Sequence, residues 1–365
     1  MTANPFTYTA DDTCLDGHEA LAAKIIQLMG ESSRRLLVYG RRRRGKTSLV
    51  QFAGRKAQQA FLYCDISKAA DLNEVAKKLL ASAPEVTDER LSRTVAMAAN
   101  YFPNAAGASG RVFIESVLRQ DEGGLTLESA LSLLNVQASE RGEVWTICLD
   151  EFQEVLALGG DRIEWRLRGA MQAHRNLNYI FVVPQHIVEV MTAPTAAFFK
   201  QLQFVEVGPR PVQVAAQWIE ARAKLGGVTK FPNAEEIVRI AGPCEGDVIR
   251  LAKTVFDLTR PGSYEPDQVV ARAVDVIALA EFDSAFTHQW HPLLATQRAM
   301  LRAIAGGYRP ASAAALRKFG VNAASTATTA IKHLIKRQIL VRDKRVVVFD
   351  SPYFRRWVEY HGHTQ

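Results

Sequence analysis

The sequence predicts an α/β domain built on a parallel sheet, then an all-helical segment, then a basic unit of helices closed by a β-wing. Three observations carry this reading. Apolar strand-like runs (RRLLVYG, AFLYCDI, VWTICLD, NYIFVVP) alternate with helical patterns such as DLNEVAKKLLAS and TLESALSLLNVQA, the rhythm of parallel strands joined by crossover helices. From residue 209 the pattern is helical throughout, in VQVAAQWIEARAKLG, NAEEIVRIAG, EGDVIRLAKTVFDLT and PDQVVARAVDVIALAEF, punctuated by Gly and Pro. The last stretch reads TQRAMLRAIAGG, ASAAALRKFGV, AASTATTAIKHLIKRQIL and VRDKRVVVFD: helix, short helix, long helix and wing, which is winged-helix order. The expected boundaries are 1–208, 209–285 and 286–365.

Composition narrows the class. The chain has 365 residues, 48% hydrophobic and 23% charged, enough for large buried cores and too apolar for a disordered or fibrous protein. No apolar run reaches the length of a membrane span, and the polar start MTANPFTYTADDTCLDG lacks the layout of an export signal, so a cytoplasmic protein is expected. Cys14, Cys64, Cys148 and Cys244 form no CxxC pair and the eight histidines form no HExxH, against a zinc ribbon, a disulfide framework or a histidine metal site. Cys64 and Cys148 sit in strand-like runs and are expected in the core. The net charge is +7, yet residues 293–365 hold thirteen Lys or Arg against three acids, a local balance of +10. The rest of the chain is therefore acidic by −3. A basic surplus confined to one end is the footprint of a module that meets a polyanion.

The most specific motif is Gly40-Arg41-Arg42-Arg43-Arg44-Gly45-Lys46-Thr47, which satisfies G-x-x-x-x-G-K-[ST] between the strand LLVY and the helical SLVQFAGRKAQQA. Glycines let backbone N–H groups turn inward around phosphates, Lys46 reaches the β/γ oxygens, and the Thr47 hydroxyl coordinates Mg²⁺. Arg44 and Ser48, beside the fixed positions, join the expected ATP-binding set. The four arginines at the variable positions are expected to point outward, into solvent, toward a neighbouring subunit or toward nucleic acid.

The run Val144–Leu149 delivers Asp150-Glu151 at a strand's carboxyl end, where ligand sites of open α/β sheets lie. Asp150 is the expected magnesium partner, through water, and Glu151 the base that orients and deprotonates the attacking water. A bare helix cap for FQEVLAL is the competing reading, and the phosphate loop decides against it. The next apolar run ends at Pro184-Gln185-His186, making Gln185 the candidate γ-phosphate sensor.

The string VYGRRRRGKTSLV, the strand end LDEFQE and the closing DSPYFRRW resemble the archaeal-type ATPase family, a branch of the STAND and AAA+-like P-loop ATPases that also occurs in bacteria. The resemblance covers nearly the whole chain. It implies an AAA+-like P-loop NTPase core, a helical lid and a C-terminal winged helix, an order similar to origin-recognition initiators, and gives Gly40, Gly45, Lys46, Thr47, Asp150 and Glu151 their nucleotide and catalytic roles. AGPCEGDVIRLA is similar to the family's glycine-proline lid segment and second sensor, which makes Arg250 a candidate γ-phosphate ligand. Two departures stand out: Pro184-Gln185 replaces a frequent Gly-Ser after the sensor strand, implying slow hydrolysis, and Gly17-His18-Glu19 stands where GRE is usual.

In the long C-terminal helix Thr328, Ile331 and Ile335 are expected on the packed face with Leu334. That leaves Ser325, Thr326, Thr329, Lys332 and Lys336 to meet duplex DNA, with Arg342, Lys344 and Arg345 from the wing. The preferred reading is an ATP-dependent switch whose winged helix engages double-stranded DNA, with a nucleotide-dependent homo-oligomer as one form of the switch. The alternative is a signalling ATPase whose winged helix docks a protein partner. Arg210 and Lys200 are the weakest candidates, for an arginine-finger role.

Overall fold

A computed structural model describes residues 4–7, 17–31, 34–83, 126–160, 162–228, 230–259, 266–343 and 346–362. The chain divides into two units, one spanning Ala10–Pro209 and the other joining the N-terminal stretch to Arg210–Gln365. In the first, β1 (Arg35–Gly40), β2 (Phe61–Asp65), β3 (Trp145–Asp150), β4 (Leu177–Pro184) and β5 (Gln203–Glu206) form one parallel sheet in the order β2-β3-β4-β1-β5. The four strand-like runs became β1 to β4. The edge strand β5 escaped notice because four residues with alternating burial carry too little pattern.

Both faces of the sheet are covered, so β3 and β4 are buried along their whole length. Strand alternation sorts the side chains. Leu36, Val38, Cys148, Ile180 and Val182 pack under α1 (Glu19–Met29) and α2 (Lys46–Lys56). Leu37, Ile147, Leu149, Phe181 and Val183 face α3 (Leu72–Ala81), α4 (Leu127–Arg141), α5 (Gln153–Gly159) and α6 (Ile163–Ala173). Two of these helices start where polar side chains satisfy orphan amides: at α3 the Asp71 carboxylate accepts from Glu74 N at 2.8 Å, and at α4 Thr126 and Ser129 form a reciprocal cap. Cys64 and Cys148 are buried core thiols, as their runs implied.

A buried histidine supplies a pH response. The Tyr179 phenol, held protonated by burial, donates to His174 Nδ1 at 2.5 Å. That leaves the proton on Nε2, which donates to Ser132 Oγ at 3.1 Å, and the Ser132 hydroxyl passes on to Glu128 O at 2.9 Å. Burial, reinforced by the nearby Arg35 charge, pulls the His174 imidazole down to about 4. The unfolded histidine titrates near 6.5. Between those values the unfolded state binds the extra proton, so this site leaves stability unaffected above about pH 6.5 and removes it progressively as pH falls toward 4. The full effect is on the order of 3 kcal/mol. Urea titrations from pH 7.5 to 4.5 are expected to lose more stability in the wild type than in His174→Gln; parallel curves would refute the assignment.

In the second unit α7 (Val212–Leu225), α8 (Ala234–Ala241), α9 (Glu245–Thr259) and α10 (Pro266–Val276) follow the four helical runs, and α10 continues into a π turn, Ile277–Glu281, that periodicity did not reveal. Then come α11 (Asp283–Trp290), α12 (Ala295–Ala305), α13 (Ala313–Phe319), α14 (Ala324–Lys336), the antiparallel pair β6 (Leu340–Asp343) and β7 (Val346–Phe349), and α15 (Pro352–His361). The last helix is stitched back to the preceding ones: Tyr353 OH donates to Asp247 O at 2.7 Å, Trp357 Nε1 to Asp283 Oδ1 at 2.7 Å and Arg356 Nε to Asp275 Oδ1 at 2.7 Å. Those bonds unite the helical segment and the winged helix in one unit. Residues 4–7, which the sequence reading kept with the sheet, belong there too: Phe6 is fully buried with its ring centroid 5.8 Å from those of Trp218 and Phe256. Among the described residues, no helix is long and apolar enough to cross a membrane.

Candidate functional site

The glycine loop connects β1 to α2. Gly40 must be glycine, because a Cβ there would lie 2.5 Å from Val207 O. Gly45 takes φ +75° as the residue before the first helical turn, a conformation that favours glycine. The loop closes around its lysine. Lys46 is buried, and Nζ donates to Gly40 O at 3.2 Å and to Arg41 O at 2.9 Å, which seats the ammonium inside the curve of the backbone. The first amides of α2 open onto the same place, an arrangement suited to an anion.

The expected outward course of all four arginines needs correction. Arg42 and Arg43 are exposed and Arg41 half-buried, but Arg44 is buried. Arg43 has φ +58°, and this left-handed step reverses the chain so that the next side chain turns inward.

Parallel pairing brings the acidic strand end to the loop. One strand, β4, lies between β1 and β3, with Gly40 level with Pro184 and Leu149 level with Phe181. Thr47 is exposed and its hydroxyl donates to Asp150 Oδ2 at 2.7 Å. Asp150 Oδ1 accepts from Glu151 N at 2.9 Å. Burial pushes the Asp150 carboxyl up, and the hydrogen bonds from Thr47 and Tyr63 oppose that shift. Glu151 follows at φ +57°, an uncommon state for a residue with a side chain, held by its own amide bond to Asp150 and by Phe152 N donating to Val182 O at 3.0 Å. Gln153 Nε2 donates to the Glu151 carboxylate. Thus the kink at residue 151 aims a second, half-exposed carboxylate beside the first.

Gln185 is exposed and opens the short 3₁₀ turn Gln185–Ile187 directly after β4. His186 beside it is pulled down by burial and by the Arg42 charge, and Pro184 just before the turn is level with Gly40 of the glycine loop. Ser48 is half-buried in the first turn of α2. Arg250 lies on α9 in the second unit, where Nη1 donates to Glu281 Oε2 at 3.1 Å and the guanidinium sits 4.6 Å from the Phe282 ring. Arg210 pairs with Glu245 at 3.4 Å, and Lys200 lies 5.3 Å from the Phe199 ring. Sequence reading missed Tyr63, whose hydroxyl donates to Asp150 Oδ2 at 2.8 Å. The signal was present in strand parity: Tyr63 shares a face of β2 with Asp65, which is level with Asp150.

In the second unit, Ser325, Thr326, Thr329, Lys332 and Lys336 are exposed along α14, and Arg342 is exposed on the wing. Lys344 and Arg345 lie outside the described residues. The packed face differs from the expected one: Ala327, Ala330, Ile331 and Leu334 are buried, while Thr328 is exposed with its hydroxyl donating to Ala324 O at 2.8 Å. Small alanines let α14 approach its neighbours closely, which apolar bulk alone did not reveal. His333 and Arg337 join the exposed face, beyond the residues first singled out.

Residues 284–360 match the family model described as "Probable winged helix domain". No curated protein sequence matches the chain. Among solved structures, a Walker-type ATPase of Pyrococcus abyssi is similar with a TM-score of 0.66 at 16% identity, covering 97% of this chain and 99% of its own. The ORC2 protein of Aeropyrum pernix, solved as ADPNP-ADP complexes, is similar with a TM-score of 0.60 at 15% identity, covering 99% and 98%. The ORC1 protein of Aeropyrum pernix, solved in complex with DNA, reaches 0.50 at 15% identity, covering 94% and 93%. The chain therefore has the fold of AAA+ P-loop ATPases with a C-terminal winged helix. At these identities the likeness is one of fold.

Proposed function

We infer that the chain binds and hydrolyses ATP with magnesium at the glycine loop, and that its winged helix binds duplex DNA in a manner set by the nucleotide state. The observation that carries the reading is the 2.7 Å bond between Thr47 and Asp150, which joins the loop's hydroxyl to a strand-end carboxylate across the intervening β4. The residues present fit the ligand. A glycine loop bounded by the tightly packed Gly40 and the left-handed Gly45, a lysine inside the loop and a hydroxyl–carboxylate pair are the donor set a magnesium triphosphate requires.

Magnesium, when bound with the nucleotide, supplies charge neutralisation of the phosphates. Thr47 and Asp150 would hold it. Gly40, Arg44, Gly45, Lys46 and Ser48 bind the triphosphate, Glu151 orients water and accepts its proton, and Gln185 reports the γ-phosphate from the end of β4. Arg250, which pairs with Glu281, is retained only as the second-sensor candidate that the family resemblance implies. On the DNA side, the exposed hydroxyls and lysines of α14 and Arg342 meet phosphates and bases, and the +10 balance of residues 293–365 supports this. That the ORC2 neighbour was solved with ADPNP and ADP and the ORC1 neighbour with DNA agrees with both halves.

Two titrations test the whole. Calorimetry is expected to show heat on adding ATP with magnesium, and fluorescence anisotropy to show duplex affinity that differs at least about threefold between ATPγS and ADP, a coupling near the low end of allosteric energies. Folded protein that gives no heat would overturn the nucleotide half, and equal affinities would overturn the switch.

A further inference from the structure

We propose that Tyr63 is a positioning residue for the magnesium site: its hydroxyl fixes the Asp150 carboxylate in the orientation that serves the ion. The inference rests on the magnesium-ATP reading above and adds to it a residue that no phosphate-loop motif contains.

The geometry is specific. Tyr63 and Cys148 are level across the β2–β3 pair, and Asp65 is level with Asp150, so the phenol reaches diagonally along one sheet face to the strand end. Asp150 Oδ2 takes two hydrogen bonds, from Thr47 Oγ1 at 2.7 Å and from Tyr63 OH at 2.8 Å. Asp150 Oδ1 takes one, from Glu151 N at 2.9 Å. A carboxylate offers about four acceptor positions. Three are filled, and the remaining one is on Oδ1, so the carboxylate can turn only one acceptor outward, toward water around the ion.

Tyr63 is suited to this as a donor. A phenol is a hydrogen-bond donor at neutral pH, and the Tyr63 hydroxyl lies 2.8 Å from Asp150 Oδ2. Its ring packs against the apolar layer of α1 and α2, which holds the hydroxyl in place. Thr47, by contrast, is exposed and has its own role toward the ion, so Tyr63 is the bond to Oδ2 that persists while the hydroxyl of Thr47 is shared.

The test is Tyr63→Phe, which keeps the ring and removes the donor. The probe is ATPγS, titrated by calorimetry once in EDTA and once in magnesium, with the thermal midpoint measured in parallel. The expected result is an affinity in EDTA within about twofold of wild type and a magnesium enhancement reduced about tenfold, the size of one hydrogen bond to a charged group. Steady-state kinetics is expected to show a higher magnesium requirement than wild type at saturating ATP. Equal enhancement in variant and wild type would overturn the proposal. So would a loss of affinity shared equally between EDTA and magnesium with a lowered midpoint, since that is a packing effect. A wild-type protein that binds ATPγS equally with and without magnesium overturns the magnesium reading itself, and Tyr63's role falls with it, a result distinguishable from failure in the variant alone.

Discussion

Glu151→Gln is expected to keep ATP bound and to lower turnover by about 10²- to 10⁴-fold, the range for removing a positioned general base. The substitution preserves volume and hydrogen-bonding reach, and residue 151 retains the amide bond to Asp150 Oδ1 that helps hold its backbone at φ +57°. What disappears is the capacity to take a proton from water. Lys46→Ala should behave differently. Nζ sits inside the loop, 2.9 Å from Arg41 O, and its loss removes charge-assisted bonds to phosphate worth about 1.5–3 kcal/mol each. With two such bonds, nucleotide affinity should fall at least about 100-fold. Filter binding and phosphate release measured on both variants separate the cases. Hydrolysis at the wild-type rate in Glu151→Gln would remove that residue from catalysis, and wild-type affinity in Lys46→Ala would remove the loop from nucleotide binding.

The contrast between those two side chains also shows what sequence can carry. The glycine loop was readable because each of its fixed positions answers a local constraint: the Val207 carbonyl against Gly40, the left-handed backbone at Gly45, the buried ammonium of Lys46. The strands β1 to β4 were readable because a doubly covered parallel sheet writes long apolar runs. What stayed hidden depends on neighbours distant in the chain. Tyr63 meets Asp150 only through the register of β2 on β3, and 87 positions separate them. The inward turn of Arg44 follows from the backbone at Arg43, which no composition rule signals. Phe6 lies among the first residues, ahead of the sheet, yet packs with Trp218 and Phe256 in its own unit, because an aromatic pocket there outweighs proximity along the chain. Thr328 was placed inside because apolar bulk was sought at helical spacing, whereas Ala327 and Ala330 are the residues that pack.

The same helix frames the second large effect. Charge reversal in the double variant Lys332→Glu and Lys336→Glu is expected to weaken binding to duplex DNA by about 10- to 100-fold near physiological salt while leaving ATP turnover without DNA unchanged, because each lysine that neutralises a phosphate releases a condensed counterion. Both side chains are exposed on α14, one helical turn apart, and Ile331 and Leu334 carry the packing, so the fold has no stake in the two ammonium groups. The decisive quantity is the salt slope rather than a single affinity. Two lost phosphate contacts should reduce the slope of log K against log salt by about 2, whereas a residue that reads bases would change sequence preference and leave the slope alone. Anisotropy titrations over a salt series on two unrelated duplexes distinguish these outcomes, and a variant with the wild-type slope on both would take α14 out of the DNA interface and leave protein docking as the use of the winged helix.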